Sequence, residues 1–268
     1  MKIHYTEKPF ATNGFFQLKN QDWLDKQRVA GKVVAGSLSL LENFIKNKTA
    51  LNAKQLNNLA EEYIQDNHCS PTFKGYKGFP AGVCISINKE LVHGIPKEYY
   101  FQEGDVISFD LGATYKSAIA DSALTCIYGE PKSKQHVELI KATEEALMEA
   151  IKSIKVGNHL GCIGYTIHNV AKKYKFASVT QYGGHGISWD EPHFPPFISN
   201  KSAIDEGIRI QPGFTGAIEP MFIIGSSNAT RVSNDGWTVM ADNINNHTEH
   251  TIFVHDDHVE IITDRSKL

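Results

Sequence analysis

No apolar run in this 268-residue chain approaches the roughly 18 residues a membrane span needs. The opening residues, Met1 to Lys8, hold no apolar signal core. Cysteine is scarce. Cys69, Cys84, Cys126 and Cys162 stand apart, with no Cys-x-x-Cys pair. That argues against a zinc ribbon or a disulfide framework and predicts reduced, buried thiols in a cytoplasmic protein. An excess of basic charge is lacking too: the net charge is −3, which argues against binding nucleic acid through phosphate contacts. There is no Walker A loop, no Gly-x-Gly-x-x-Gly and no His-Glu-x-x-His, and no low-complexity tract. What is present is 41% hydrophobic residues, enough for a substantial core.

Periodicity divides the chain. Residues 1–21 are polar and irregular, with Pro9, Asn13 and Gly14 as breakers, and read as an N-terminal arm before a single domain over 22–268. Asp22 to Lys46 carries apolar residues at helical spacing. Asn52 and Gln55 form a capping-box pattern ahead of a second helix ending near Asp66. Val83–Asn88 and a two-aspartate hairpin follow as strands. Lys134–Ser153 and Gly161–Tyr174 read as two more helices, the first with Val137, Ile140, Leu147 and Ile151 on its buried face. Strand-like sequence returns at Thr215–Ile224, Trp237–Met240, Glu249–Val254 and Val259–Thr263. Two helices thus precede strands twice over, an α+β pattern and not the βαβ alternation of a doubly wound fold.

The hairpin carries the first chemical signal. Asp110 closes one β-branched run and Asp121 opens the next. A turn at Tyr115–Lys116 places them directly opposite on one face, with Cβ atoms roughly 5 Å apart. Two facing carboxylates in a half-buried sheet call for a positive partner, and divalent metal is the usual one. His185 lies among glycines that permit close backbone approach. Glu219 sits inside an apolar run and is held extended by Pro220. Glu249 heads another such run. Singly, each has a plain reading: loop-edge caps, a surface histidine, a strand-end charge. Together, four carboxylates and one imidazole suit two divalent ions such as Mn, Fe, Co or Zn.

The ordered segments GYKGFPAGVCISINKELVHGIP, EGDVISFDLGATYKSAIADSALTCIYGEP, YGGHGI, TGAIEPMF, NDGWTV and TEHTIFV make the chain resemble a type I methionine aminopeptidase, from about Asp22 to Thr263. Such enzymes share the pita-bread fold of peptidase family M24 with aminopeptidase P, prolidase and creatinase. The resemblance implies pseudo-twofold halves, with antiparallel sheet covered by helices. It implies Asp110, Asp121, His185, Glu219 and Glu249 as ligands of two divalent ions (Co, Mn, Fe or Zn). Asp121 and Glu249 would bridge, Asp110 would serve one ion, and His185 with Glu219 the other. Glu219 would also be general base, and His93 would contact the reacting amide. Tyr76, Phe79, Cys84 and Trp237 would line a pocket for methionine. The implied substrate is a peptide or nascent-chain N-terminus, with the ribosome as a partner and no nucleic acid or membrane. A monomer is implied.

One segment departs from the pattern. After Gly-His-Gly-Ile the family carries a longer loop ending in Phe-His-Glu-Glu-Pro, whereas here Ser188-Trp189-Asp190-Glu191-Pro192-His193 is shorter by a few residues. A pocket phenylalanine and a second substrate-contacting histidine are unmatched. Trp189 is expected to replace the first and His193 the second. Phe79 stands where tyrosine is common. The alternatives are a related peptidase whose shortened 186–193 loop alters substrate preference, and a non-catalytic pita-bread binding protein.

Overall fold

The computed structural model describes residues 8–9, 15–225 and 230–268, with residues 8, 9, 15 and 16 as backbone alone. Of the arm expected over 1–21, residues 1–7 and 10–14 lie outside the described residues. Lys8–Pro9 pairs antiparallel with Phe15–Phe16, and Leu18 bridges Phe214.

Helix α1 (Gln21–Lys46) starts where the Asn20 side chain accepts the Trp23 N–H at 3.1 Å. Helix α2 (Ala53–Asp66) starts on the expected capping box: Gln55 N–H donates to Asn52 Oδ1 at 2.9 Å, and Asn52 N–H to Gln55 Oε1 at 3.0 Å. Both cover a sheet built on the hairpin Val106–Tyr115 and Ala118–Ile127, with Val83–Ile87 on its other edge. Helices α3 (Lys134–Ser153) and α4 (Gly161–Tyr174) cover the second half. Its sheet runs in the order Glu191–Ile198, Gly184–Ser188, Thr215–Ile218, His250–Val254, Val259–Ile261, all antiparallel. Two helices over antiparallel sheet, repeated in the second half, agree with the expected pita-bread arrangement. Each half has its own apolar cluster, one around Trp23, Leu38 and Phe109, the other around Leu139, Ile163 and Phe222.

The buried face of α3 is only partly the one expected. Leu147 and Ile151 are buried as expected and Ile140 is half-buried, but Val137 is 49% exposed, and Leu139, Ala142, Ala146 and Ala150 complete the face. Three alanines let α3 approach α4 closely, so small residues and not the β-branched one mark the contact. The long strand expected at Thr215–Ile224 is broken in two at Glu219–Pro220. Gly184–Ser188 and Glu191–Ile198, expected as loop, form a hairpin.

Side chains tie the halves together. Gln27 of α1 is fully buried, and its amide donates to Ile119 O at 2.9 Å in the first sheet and to Thr215 Oγ1 at 2.8 Å in the second. A Cβ on Gly31 would stand 2.3 Å from Ile262 O, so only glycine lets α1 lie this close to the C-terminal segment. Trp23, 0% exposed, meets Trp189 edge-to-face with centroids 4.3 Å apart. Trp23→Ala is expected to destabilise the protein by about 3–5 kcal/mol, read as a lower denaturant midpoint at unchanged slope.

Candidate metal centre

The aspartate hairpin turns one residue later than expected, and this corrects its register. Lys116 and Ser117 form the two-residue turn, with φ of 48° and 68°. Paired positive φ values match the twist of the flanking strands better than an ordinary turn. Asp110 therefore faces Ala123, and Asp121 faces Gly112. The aspartates are diagonal neighbours and not directly opposite. A shift of two preserves the face, so both still point to the same side.

The second half supplies its donors where the chain changes sheet. Thr215–Ile218 belongs to the five-stranded sheet, and Met221–Ile223 pairs instead with Asn245–His247. Glu219 and Pro220 make that crossing. The return crossing, Thr248–Glu249, lies beside it, with Thr248 N–H donating to Pro220 O at 3.4 Å. Interrupted ladders bring Glu219 and Glu249 together on the floor of one cavity. His185 reaches the same floor from Gly184–Ser188.

The seam between halves runs through these donors. Thr251 Oγ1 accepts the Asp121 N–H at 2.8 Å and donates to Asp121 O at 2.6 Å. Ser122 Oγ donates to Glu249 O at 2.5 Å, and Glu249 N–H donates to Ala123 O at 3.0 Å.

Donor atoms of Asp110, Asp121 and Glu249 lie within 4.8 Å of one another, as do those of His185, Glu219 and Glu249. All five residues are buried. Asp110 Oδ1, Asp121 Oδ1 and Glu249 Oε1 have no hydrogen-bond partner among the described residues. Burial first, and then the neighbouring carboxylates, pushes Asp110, Glu219 and Glu249 well above the usual carboxylate range. Burial also raises Asp121 to about 7. His185 Nδ1 lies 3.1 Å from Gly186 O, so a proton there leaves the Nε2 lone pair facing the acids. Burial lowers its pKa to about 4. His185 Nε2 is 3.4 Å from Glu219 Oε1. Two donors each about 2.1 Å from one cation stand about that far apart. Orphaned carboxylate oxygens, a free imidazole lone pair and this spacing fit a divalent cation bound by oxygen and nitrogen.

Above the floor is a cavity of about 500 Å³. Tyr76, Phe79, Cys84, His93, His193 and Trp237 all line it. Phe79 and Trp237 meet edge-on at 5.2 Å. His93 projects from a left-handed residue, φ 58°, and is followed by Gly94, where a Cβ would stand 2.3 Å from Ile85 O. Its ring lies 6.0 Å from Tyr182 and 6.5 Å from Trp237. His193 stacks on Tyr76 at 5.5 Å and lies 4.4 Å from the His185 ring. The Tyr76 hydroxyl donates to the Glu191 carboxylate and ties this hairpin to the pocket wall.

Trp189, expected as a pocket wall, does not line the cavity. It occupies the two-residue connection between Ser188 and Glu191, and its ring packs on Trp23 in the first core. Shortening the loop turns the chain back at Trp189–Asp190 and swings the indole outward. Among the lining residues outside the expected set are Phe73, Tyr182 and His247. His247 had a signal, since it lies two residues before Glu249 and on the same parity.

A model of metallopeptidase family M24 matches residues 25–256. A methionine aminopeptidase of Mycoplasma capricolum is 41% identical over 92% of this chain and 97% of its own length. One from Clostridium acetobutylicum is 36% identical over 92% and 98%. The crystal structure of methionine aminopeptidase from Thermotoga maritima is similar with a TM-score of 0.88 at 34% identity, covering 93% of this chain and 99% of that one. Prolidase from Pyrococcus furiosus, 19% identical with a TM-score of 0.75 over 92% of this chain and 65% of its own, shares the fold.

Proposed function

The chain belongs to metallopeptidase family M24, and from that premise we propose that it is a methionine aminopeptidase, hydrolysing the N-terminal methionine of peptides and nascent proteins. The observation that carries this reading is the set Asp110, Asp121, His185, Glu219 and Glu249, gathered at the floor of a largely apolar cavity. We assign two divalent ions to it, Co, Mn, Fe or Zn, which these five residues would hold. Such ions, when bound, supply an activated water near neutral pH and polarise a carbonyl.

The protein's own groups do the rest. Phe79, Cys84, Trp237 and Tyr76 enclose a polarizable thioether side chain. Binding of the substrate's free α-amine at the acidic floor would restrict cleavage to the N-terminus. His93, whose pKa burial lowers, donates a hydrogen bond to the reacting amide. His193, between Tyr76 and His185, takes the place of the second substrate-contacting histidine. Glu219 accepts a proton from the attacking water and returns it to the leaving amine. We further propose a cytoplasmic monomer working near the ribosome; four buried free thiols suit a reducing compartment.

The test uses metal-stripped protein reloaded with Mn or Co, against Met-Ala-Ser, Ala-Ala-Ser and Ala-Pro peptides. Release of methionine alone, dependent on metal, is the expected result. Cleavage of another N-terminal residue with methionine spared would instead support altered preference through the 186–193 hairpin. Bound metal with no cleavage of any peptide would sink the aminopeptidase assignment.

A further inference from the structure

One buried group lining this cavity has no role in the reading above. His247 ends the strand Asn245–His247, opposite Met221, and is 2% exposed. Its carbonyl accepts the Thr125 hydroxyl at 2.7 Å, which pins its backbone to the other half. Its Nε2 points at two of the acids, 3.2 Å from Glu219 Oε2 and 3.9 Å from Glu249 Oε2. That nitrogen has no hydrogen bond of good angle among the described residues. A buried ring nitrogen without a partner is unfavourable unless the function uses it.

Two uses are open to it, ligand or donor. The groups of donor atoms close enough to surround one cation draw on Asp110, Asp121, His185, His193, Glu219 and Glu249, and His247 is in none of them. As a donor it is within reach. Glu219 presents Oε1 to His185 and Oε2 to His247, so the two rings flank one carboxylate.

Resting on the metal-centre reading, we infer that His247 is a positioning residue, whose Nε2–H, poised 3.2 Å from Glu219 Oε2, would donate to it and hold Oε1 toward a cation shared with His185. Groups that orient a ligating carboxylate set both metal affinity and activity.

The test compares His247→Leu and His247→Gln in the full chain. Mn(II) is titrated into metal-free protein by calorimetry, alongside metal-free melting temperature and steady-state kinetics. His247→Leu is expected to lose 10–100-fold in affinity for one cation. Its kcat at saturating Mn falls with little change in KM. His247→Gln, whose amide N–H reaches about as far, regains most of both, and the metal-free melting temperature falls in neither. Wild-type affinity in the Leu variant overturns the inference. So does failure of Gln to recover, or a collapse of metal-free melting in both variants, which would mark a packing role. Wild-type protein that binds no Mn overturns the centre and this inference together. Wild-type protein that binds Mn yet spares methionine peptides overturns the activity alone and leaves the affinity comparison to decide on His247.

Discussion

Glu219→Gln cuts peptide hydrolysis by about 10²–10⁴-fold, while the metal-free variant melts higher at pH 8 than the parent. The two effects share one cause. Glu219 lies at the sheet crossing, buried, with Asp110 and Asp121 adding repulsion to the burial that raises its proton affinity. That proton affinity suits a base, and an amide of the same shape has none. Without a cation, the acids repel one another in a region of low dielectric. Removing one charge there relieves more than it loses, because no lysine or arginine pairs with Glu219 among the described residues. Its ring neighbours are His185 and His247, both held neutral by burial. The measurements are kcat at saturating Mn and melting in a chelator. A parental rate in the variant would remove Glu219 from the chemistry.

Metal-free protein loses stability as pH rises from about 6.5 to 8.5, and metal-loaded protein does not. The sign follows from proton counts. Asp110, Asp121, Glu219 and Glu249 have folded values above their unfolded ones, Asp121 at about 7. Between the two values the native state holds protons that the unfolded state has released, so stability falls as pH rises through the folded value. Buried His185 and His247, at about 4 and about 3, act oppositely. Their folded values are depressed, so stability rises with pH until about 6.5, where unfolded imidazole is itself neutral. Below 6.5 the two sets oppose each other. Above it the four acids are opposed by Lys19, whose amine burial lowers to about 7, and they outnumber it. Bound cation requires deprotonated ligands and reverses the trend. Melting temperatures in chelator and in Mn across this range check it, and a flat chelator curve would contradict the burial of unpaired acids.

The helices were legible because caps and periodicity act locally. Asn52 with Gln55 and the stripe from Trp23 to Ile45 needed nothing from the rest of the chain. The acids and His185 were legible because each sits in a short segment of characteristic composition. What escaped depended on distant contacts. The register of the aspartate hairpin was misplaced because Lys116–Ser117 adopts positive φ without an Asn-Gly pair to announce it. The hairpin over Gly184–Ile198 was hidden by its glycines and prolines, which weaken strand patterning. Trp189 looked like a pocket residue because a turn of two residues cannot be located from an alignment gap. His247 stands two residues before Glu249, but its approach to Glu219 depends on a strand pairing with Met221–Ile223 far away in sequence.

The seam stitched by Thr251 and Ser122 gives the centre a property that no single strand has. Asp110 and Asp121 come from one half, and His185, Glu219 and Glu249 from the other. The second repeat brings a donor group together by itself, His185, Glu219 and Glu249, whereas the group of Asp110, Asp121 and Glu249 closes only where the repeats meet. The two sides are not redundant copies of one binding unit but unequal shares of the proposed centre, joined through Glu249. Occupancy of the proposed Asp110, Asp121 and Glu249 group is therefore expected to report how well the two repeats are docked.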